Sequence, residues 1–471
     1  VHTKKLLLAL VIIASFKNVN AQQYALFGTK TMFDAFENPS QKSFTLDSSR
    51  KFSSNFFLPY FGTNAANRGN SAYSVRRISQ AGVYDTESLS IGNGEINNLY
   101  TNSNIYVATF RLFKSYKYQK EMGFAWQIRS DAHIDYTNET LAIFDTFTRF
   151  PTNTDLRDIF NTKGYQQAYH QFSFSYRENY NKRLAFGAKA SLLSGIVYTD
   201  LNVAHSNLYI SPETNSLLIG VDGTYSSNFY DLDEVDKKTF FPNFKNPGLS
   251  LSFGTNYTSK KGLFLMANVK DLGFIWWRSG TQRTTVNTQK FIEDLNDNQS
   301  NTNQEIKDIF LLSQQSKKFL AATNAKLDVY ISKTYGFYKP GLVVSKNLFY
   351  KGGDIAFINT FNYNNLSASV TPAYNLNNIF MVGLQGKYQT PNFELFGGTD
   401  NLFSSVNQAR GIINSTADVG KGPNGASIYM GIGIKFGNVV NHPQFSDTMP
   451  GINDQNEGSF FKNLFSIFKR K

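Results

Sequence analysis

The sequence predicts an all-β fold, a transmembrane antiparallel β-barrel of about 14–16 strands. Three observations predict it: strict two-residue alternation that recurs along the chain, loop lengths sorted to one side, and a composition rich in aromatics and poor in proline. Alternation is clearest from Phe124 to Thr137. Phe124, Trp126, Ile128, Ala132, Ile134 and Tyr136 share one face, broken only by Ser130, while Gln127, Arg129, Asp131, His133, Asp135 and Thr137 share the other. Successive side chains of a strand point to opposite sides. A run of this length reaches across a bilayer when tilted, with lipid on the apolar face and a charged lumen on the other.

The same pattern recurs at Leu184–Leu192, Phe380–Tyr388 and Ile428–Phe436, which places Lys189 and Lys387 with Arg129, Asp131, His133 and Asp135 on the lumen side. Sixteen candidate strands emerge: 50–60, 104–115, 121–137, 166–179, 182–196, 199–210, 215–226, 248–258, 262–276, 323–335, 338–350, 354–363, 366–375, 379–389, 392–403 and 426–437. Fourteen is the alternative count.

Connections supply the second observation. Short turns at 117–120, 179–182, 211–214, 259–261, 336–337, 364–365 and 390–391 follow even-numbered strands. The long segments 61–103, 138–165, 227–247, 277–322 and 404–425 follow odd-numbered ones. Short inner turns and long outer loops characterise outer-membrane barrels, and an even strand number leaves both termini on the inner side. A soluble sandwich or propeller gives no reason for such sorting. Within 277–322, Phe291, Ile292 and Leu295 with Ile306, Ile309, Phe310 and Leu312 show rough helical spacing. That suggests either two short helices over the outer mouth or a mobile loop.

Composition agrees. The chain has 43 Phe and 26 Tyr against 12 Pro, which suits strands with aromatic girdles. The net charge of +12 is scattered through strands and turns, so anionic lipid headgroups are the expected partner and nucleic acid is not. A mean hydropathy of −0.33 suits a barrel with a polar lumen and polar loops. Without cysteine there is no disulfide, thiolate metal site or lipid-modified cysteine.

Residues 1–21 read as a secretory signal: Lys4 and Lys5, an apolar core from Leu6 to Phe16, and small residues Val19 and Ala21 before the cut. Residues 22–49 form an N-terminal periplasmic segment long enough to plug a barrel, and 50–437 the barrel. The stretch 438–458 reads as a linker. In 459–471, Phe460, Phe461, Leu464, Phe465 and Phe468 repeat at helical spacing beside Lys469, Arg470 and Lys471. This basic amphipathic helix suits either the inner leaflet or a groove on a periplasmic partner.

No catalytic, cofactor or metal site is expected. Of five histidines, His2 lies in the signal and His442 in the linker, while His133, His170 and His205 lie in strands. Alternation alone gathers Asp131, His133 and Asp135 on one face. In the 262–276 strand, Leu263, Leu265, Ala267 and Val269 face lipid, and the same phase would carry Asp271 into it at a cost of a few kcal/mol near the midplane. A bulge at Asp271–Gly273 near the outer rim would turn Asp271 inward, and a partner contact there is the alternative.

Several runs carry a family resemblance. Asn38-Pro39-Ser40 is similar to the Asn-Pro-Ala-like element of fatty-acid-channel (FadL-like) barrels. Lys182–Gly195, Val269–Trp276 and Phe396–Leu402 resemble an uncharacterised Bacteroidota family of exported barrels, itself similar to the PorV and PorP/SprF barrels associated with type IX secretion. The resemblance implies a non-enzymatic protein in the outer membrane of a Gram-negative bacterium. It would contact outer-membrane lipids and lipopolysaccharide, be inserted by the barrel assembly machinery, and serve a secretion or assembly complex through protein partners in the outer membrane or periplasm. The alternative is a FadL-like passive transporter of small or hydrophobic molecules, against which the polar lumen positions weigh.

Overall fold

In the computed structural model the strand ladder closes on itself. The structure describes residues 26–44, 50–81, 85–115, 119–229, 241–293, 295, 305, 315–376, 379–413, 424–439 and 459–467. The signal segment, residues 440–458 of the expected linker and residues 468–471 therefore lie outside the described residues, and 438–439 extend the last strand.

The first half of the chain contributes β1 (Arg50–Ser54), β2 (Tyr60–Arg68), β3 (Ile96–Ser115), β4 (Lys120–Thr137), β5 (Leu156–Arg157), β6 (Lys163–Asn179), β7 (Leu184–Ser211), β8 (Ser216–Ser227), β9 (Pro247–Thr258) and β10 (Leu263–Trp277). The second contributes β11 (Gln282–Ile292), β12 (Phe319–Ala322), β13 (Lys326–Lys333), β14 (Tyr338–Asn347), β15 (Gly353–Tyr363), β16 (Leu366–Asn375), β17 (Ile379–Gln389), β18 (Phe393–Thr399) and β19 (Asn424–Val439). Described helices are α1 (Asp34–Glu37), α2 (Ala72–Ala81), α3 (Asn138–Asp145), α4 (Leu402–Ile413) and α5 (Phe460–Ile467). None of them is long and apolar enough to cross a membrane.

β1 and β2 are two halves of one wall strand, flanked by β19 on one side and β3 on the other. β12 and β13 likewise share the partner β10. Counted so, the closed antiparallel barrel has 14 strands. Two of the sixteen candidates fall away. Residues 199–210 continue β7, whose first half pairs with β9 and whose second half pairs with β8. β8 then pairs with β11, so both stand beyond the rim as an outward extension of the sheet. The turn at 211–214 accordingly sits at the long-loop end.

One rim carries the connections 116–119, 180–183, 259–262, 334–337, 364–365 and 390–392; the other carries 69–95, 138–162, 212–246, 278–318 and 400–423. The long-loop end has its own apolar core. Ala142 and Ile143 of α3 pack with Val203 and Leu208 of β7, Leu217 and Ile219 of β8, and Val286 and Ile292 of β11. Ile292 and Phe291 thus belong to a strand, where helical spacing had suggested a helix. Pairing with Leu217 and Leu218 of β8 sets their conformation, and it buries Ile292 while leaving Phe291 exposed.

The wall is apolar outside and polar inside. Phe124, Phe174, Leu192, Phe253, Phe357 and Leu384 are exposed, whereas Arg129, Lys189, Gln171, Asn268, Asp328 and Asp354 are buried. This inverts the distribution of a soluble protein, and a closed strand ladder satisfies its backbone without water.

Candidate functional site

Residues 26–44 fill the lumen. Their contacts reach strands on every side of the wall: β6 through Arg177 Nε donating to the Ser40 carbonyl at 2.8 Å, β9 through Asn256, β14 through Lys339 Nζ to Gly28 O at 2.8 Å, β17 through Lys387 Nζ to Thr29 O at 2.8 Å, and β18 through Glu394 accepting from Met32 N at 2.7 Å. Asn38 Nδ2 donates to Leu26 O and Asp34 Oδ1, folding the segment into a compact plug around α1. The Asn-Pro-Ser element touches the wall at Gly187, where a Cβ would lie 2.0 Å from the Pro39 carbonyl oxygen. Only glycine admits that approach.

A buried ionic network holds the plug. Glu37 Oε1 accepts from Arg129 Nη2 at 2.6 Å, Tyr106 Oη at 2.6 Å and Asn104 Nδ2 at 2.8 Å, and Glu37 Oε2 lies 3.1 Å from Lys270 Nζ. Arg129 continues to Asp271 Oδ2 at 3.1 Å, Lys189 reaches Asp271 Oδ1 at 3.0 Å, and Lys270 reaches Asp328 at 3.4 Å. Three cations thus face three carboxylates. Burial alone would raise the Glu37 carboxyl, but Arg129 and Lys270 beside it hold it well below the usual range. Asp34, also in the plug, is pushed up by burial to about 6, against the hydrogen bonds from Asn38 and the Lys30 N–H.

The β-bulge falls on Lys270 and Asp271, while Gly273, the other end of the expected bulge, pairs in regular register with Ser250. Pairing to β9 jumps between Val269 and Leu272, and Asp271 has φ of +52°. The extra residue turns both Lys270 and Asp271 inward, so one strand supplies two adjacent charges to the lumen. The bulge lies level with Lys189 and Arg129, not at the outer rim. Gly273 is packed against β9, where a Cβ would lie 2.1 Å from Leu249 O. Of the other lumen residues, His133 Nε2 stands 3.0 Å from Asp135 Oδ1, Lys351 bonds Asp135 Oδ2 at 2.5 Å, and Asp131 accepts from Asn102.

Sequence reading missed a break in the wall. Between β1 and β2 the chain leaves the ladder at Asn55-Phe56-Phe57-Leu58-Pro59, with φ of +47° at Phe56 and +61° at Phe57. Left-handed backbone at two bulky residues costs roughly 1–2 kcal/mol each. The three apolar side chains turn outward, Phe57 being 71% exposed. Asn55 stands in for the lost ladder: its Nδ2 donates to Leu58 O and Val107 O, and its Oδ1 accepts from Thr109 N at 2.8 Å. Directly inside, Thr109 Oγ1 meets the sulfur of Met32 at 3.4 Å. Met32 belongs to the lumen's apolar cluster, with Leu26, Phe33, Phe36, Tyr60, Tyr106, Phe396 and Tyr429. Pro59 was the signal available, since proline cannot donate to a ladder.

The profile of a family of unknown function, DUF5723, matches residues 46–400. The chain belongs to that family. Its match takes in the wall from β1 to β18, including the break and the bulge, and leaves out the plug, β19 and α5. No curated protein matches the sequence. Among solved structures, the chain is similar to the TodX deltaS2S3 mutant monoaromatic hydrocarbon channel at 9% identity and a TM-score of 0.42, covering 86% of this chain and 95% of that one. It is similar to the Pseudomonas putida toluene transporter TodX at 10% identity and a TM-score of 0.38, covering 88% and 94%. For a mutant of Rh. blastica porin the values are 8% and 0.25, with coverage of 82% and 99%.

The C-terminal helix of this DUF5723 chain lies against its own barrel, outside the wall at the short-turn end. Glu178 of β6 accepts from Ser459 Oγ and from Phe461 N at 2.8 Å, capping α5 with a carboxylate. Phe461 packs tilted and Phe465 edge-on against Phe186, with ring centroids 5.6 and 5.3 Å away, and Phe460 stands edge-on to Tyr176. Phe460 and Leu464 remain exposed on the far side. Phe468, Lys469, Arg470 and Lys471 lie outside the described residues.

Proposed function

We propose that the protein is a non-enzymatic, plugged outer-membrane channel that passes a small apolar molecule sideways through the wall at the Asn55–Pro59 break. The short-turn end then faces the periplasm. The observation that carries this reading is the contact of Met32 with Thr109: the wall strand is interrupted between β1 and β2, and an apolar residue of the plug stands behind the interruption within an apolar cluster. The polar lumen is no obstacle, because a solute leaving by the wall touches the aromatic cluster and not the charges around Asp131 and Asp354. The ionic network keeps the plug seated in the resting state.

Service as an accessory subunit of a secretion or assembly complex is the second reading. It rests on the exposed Phe460 and Leu464, although Phe461 and Phe465 of the same apolar face are spent on the barrel itself.

Uptake of the apolar fluorophore N-phenylnaphthylamine by cells carrying the chain in their outer membrane tests the channel. Uptake above an empty-vector control, reduced by Met32→Trp, supports it. Uptake equal to the control, both with the wild type and with the plug-loosening Glu37→Ala, refutes it.

A further inference from the structure

The two rims differ in charge. At the long-loop end accessible charges come in both signs and in pairs, as with the exposed Arg157 and Asp155 at 2.7 Å or the half-buried Arg77 and Asp85 at 2.7 Å. At the short-turn end every carboxylate among the described residues is buried: Asp34, Glu121, Glu178 and Glu394. Each is also engaged, Glu121 with Arg111 at 3.1 Å, Glu178 with α5, Glu394 with Met32 N, and Asp34 with Lys30 N at 2.9 Å. Arg111, Lys120, Arg177 and Lys435 are buried there too, but six further cations are exposed. Lys182 and Arg183 occupy the β6–β7 turn, Lys260 and Lys261 the β9–β10 turn, Lys51 the start of β1, and Lys30 the floor of the plug. Among the described residues, none of these six has a carboxylate within ion-pair distance. The result is a one-signed face running from the rim across the floor.

We propose that this short-turn face docks an extended acidic segment of a periplasmic protein. Three features select that occupant. Lys30 sits inside the ring of wall strands, on a segment held by Lys339 and Lys387 of the wall, where no lipid headgroup reaches. The cations are spread over two turns, the start of β1 and the plug, so a single small anion neutralises only a fraction of them. Turn tips also project from the membrane into water, where charge steers association rather than anchoring the barrel. The proposal rests on the periplasmic placement of this end but not on transport.

The test uses the full chain in nanodiscs of zwitterionic lipid, with a fluorescent polyglutamate peptide followed by anisotropy. Binding is expected at low salt and lost at about 0.5 M salt. The quadruple variant Lys182→Gln, Arg183→Gln, Lys260→Gln and Lys261→Gln should weaken it by roughly tenfold, and Lys30→Gln should weaken it on its own. All five positions are exposed, and retained heat-stable migration of the barrel shows that each variant is folded. Peptide binding unchanged by the quadruple variant overturns the proposal. So does displacement of the peptide by inorganic phosphate at matched ionic strength, which would show a small-anion site. Loss of binding in nanodiscs containing phosphatidylglycerol, with Lys30→Gln silent, would assign the face to lipid headgroups and equally overturn it. Placement is read separately: a protease site inserted at Lys260 stays uncut in intact cells if this end is periplasmic.

Discussion

The guanidinium of Arg129 stands 2.6 Å from the carboxylate of Glu37 and, through its other nitrogen, 3.1 Å from Asp271. One side chain thereby joins plug to wall and wall to wall. Buried pairs of this kind contribute little over apolar packing when intact, but losing one partner strands the other without water.

Glu37→Ala should therefore loosen the plug far more than it harms the barrel. The expected cost is about 3–5 kcal/mol at the plug, and planar-bilayer conductance should rise from near zero to discrete openings. The paired change Glu37→Gln with Arg129→Gln should restore much of the closed state.

Asp271 presents a related case at the bulge. Asp271→Leu removes the acceptor shared by Lys189, Arg129 and Gln171, and should lower barrel stability by about 3–5 kcal/mol in denaturant unfolding. Asp271→Asn keeps an acceptor for Gln171 and should fall between.

Seating of the plug should depend on pH through Asp34. Burial raises its carboxyl to about 6 from 3.8, so the seated plug binds that proton more tightly than the released one. The stabilisation is complete below about pH 4 and is lost as pH rises through about 6. Glu37, held low by its cations, stays ionised across this window. Limited proteolysis of residues 26–44 should accelerate from pH 4 to 7 in the wild type, and Asp34→Asn should flatten the profile.

The helix α5 should detach on loss of its cap. Ser459 Oγ accepts from Lys462 N at 3.1 Å while donating to Glu178. Ser459→Ala should cost about 1 kcal/mol. Glu178→Ala should release the helix, seen as faster tail cleavage with the barrel intact.

Alternation and loop sorting carried the barrel in the sequence, because lipid outside and water inside impose a period of two on every wall strand. The strand count failed where that period fails. From Leu193 to Tyr198 every residue of β7 is buried, since the strand leaves the membrane there and both faces are covered, and a register shift at Ala168/Tyr169 adds a residue. The lumen positions of Arg129 and Lys189 follow from alternation, but their convergence on Asp271 comes from strands far apart in the chain and has no local signature. Likewise the amphipathic spacing of α5 was legible, whereas the surface it covers depends on Glu178 and Phe186 meeting it in space. The wall break hid inside a plausible strand, with only Pro59 against it.

A reducible cross-link tests the central claim most directly. The chain has no cysteine, so Met32→Cys with Thr109→Cys introduces a single pair of thiols on either side of the contact of Met32 Sδ with Thr109 Oγ1. A cysteine sulfur stops one atom short of the methionine sulfur it replaces, so a short bis-methanethiosulfonate linker, and not a direct disulfide, is used to span the pair. Cross-linking should lock the plug behind the wall break. N-phenylnaphthylamine uptake should fall to the vector control when the pair is cross-linked and return on reduction. Uptake that is identical in the cross-linked and reduced protein would contradict the lateral route.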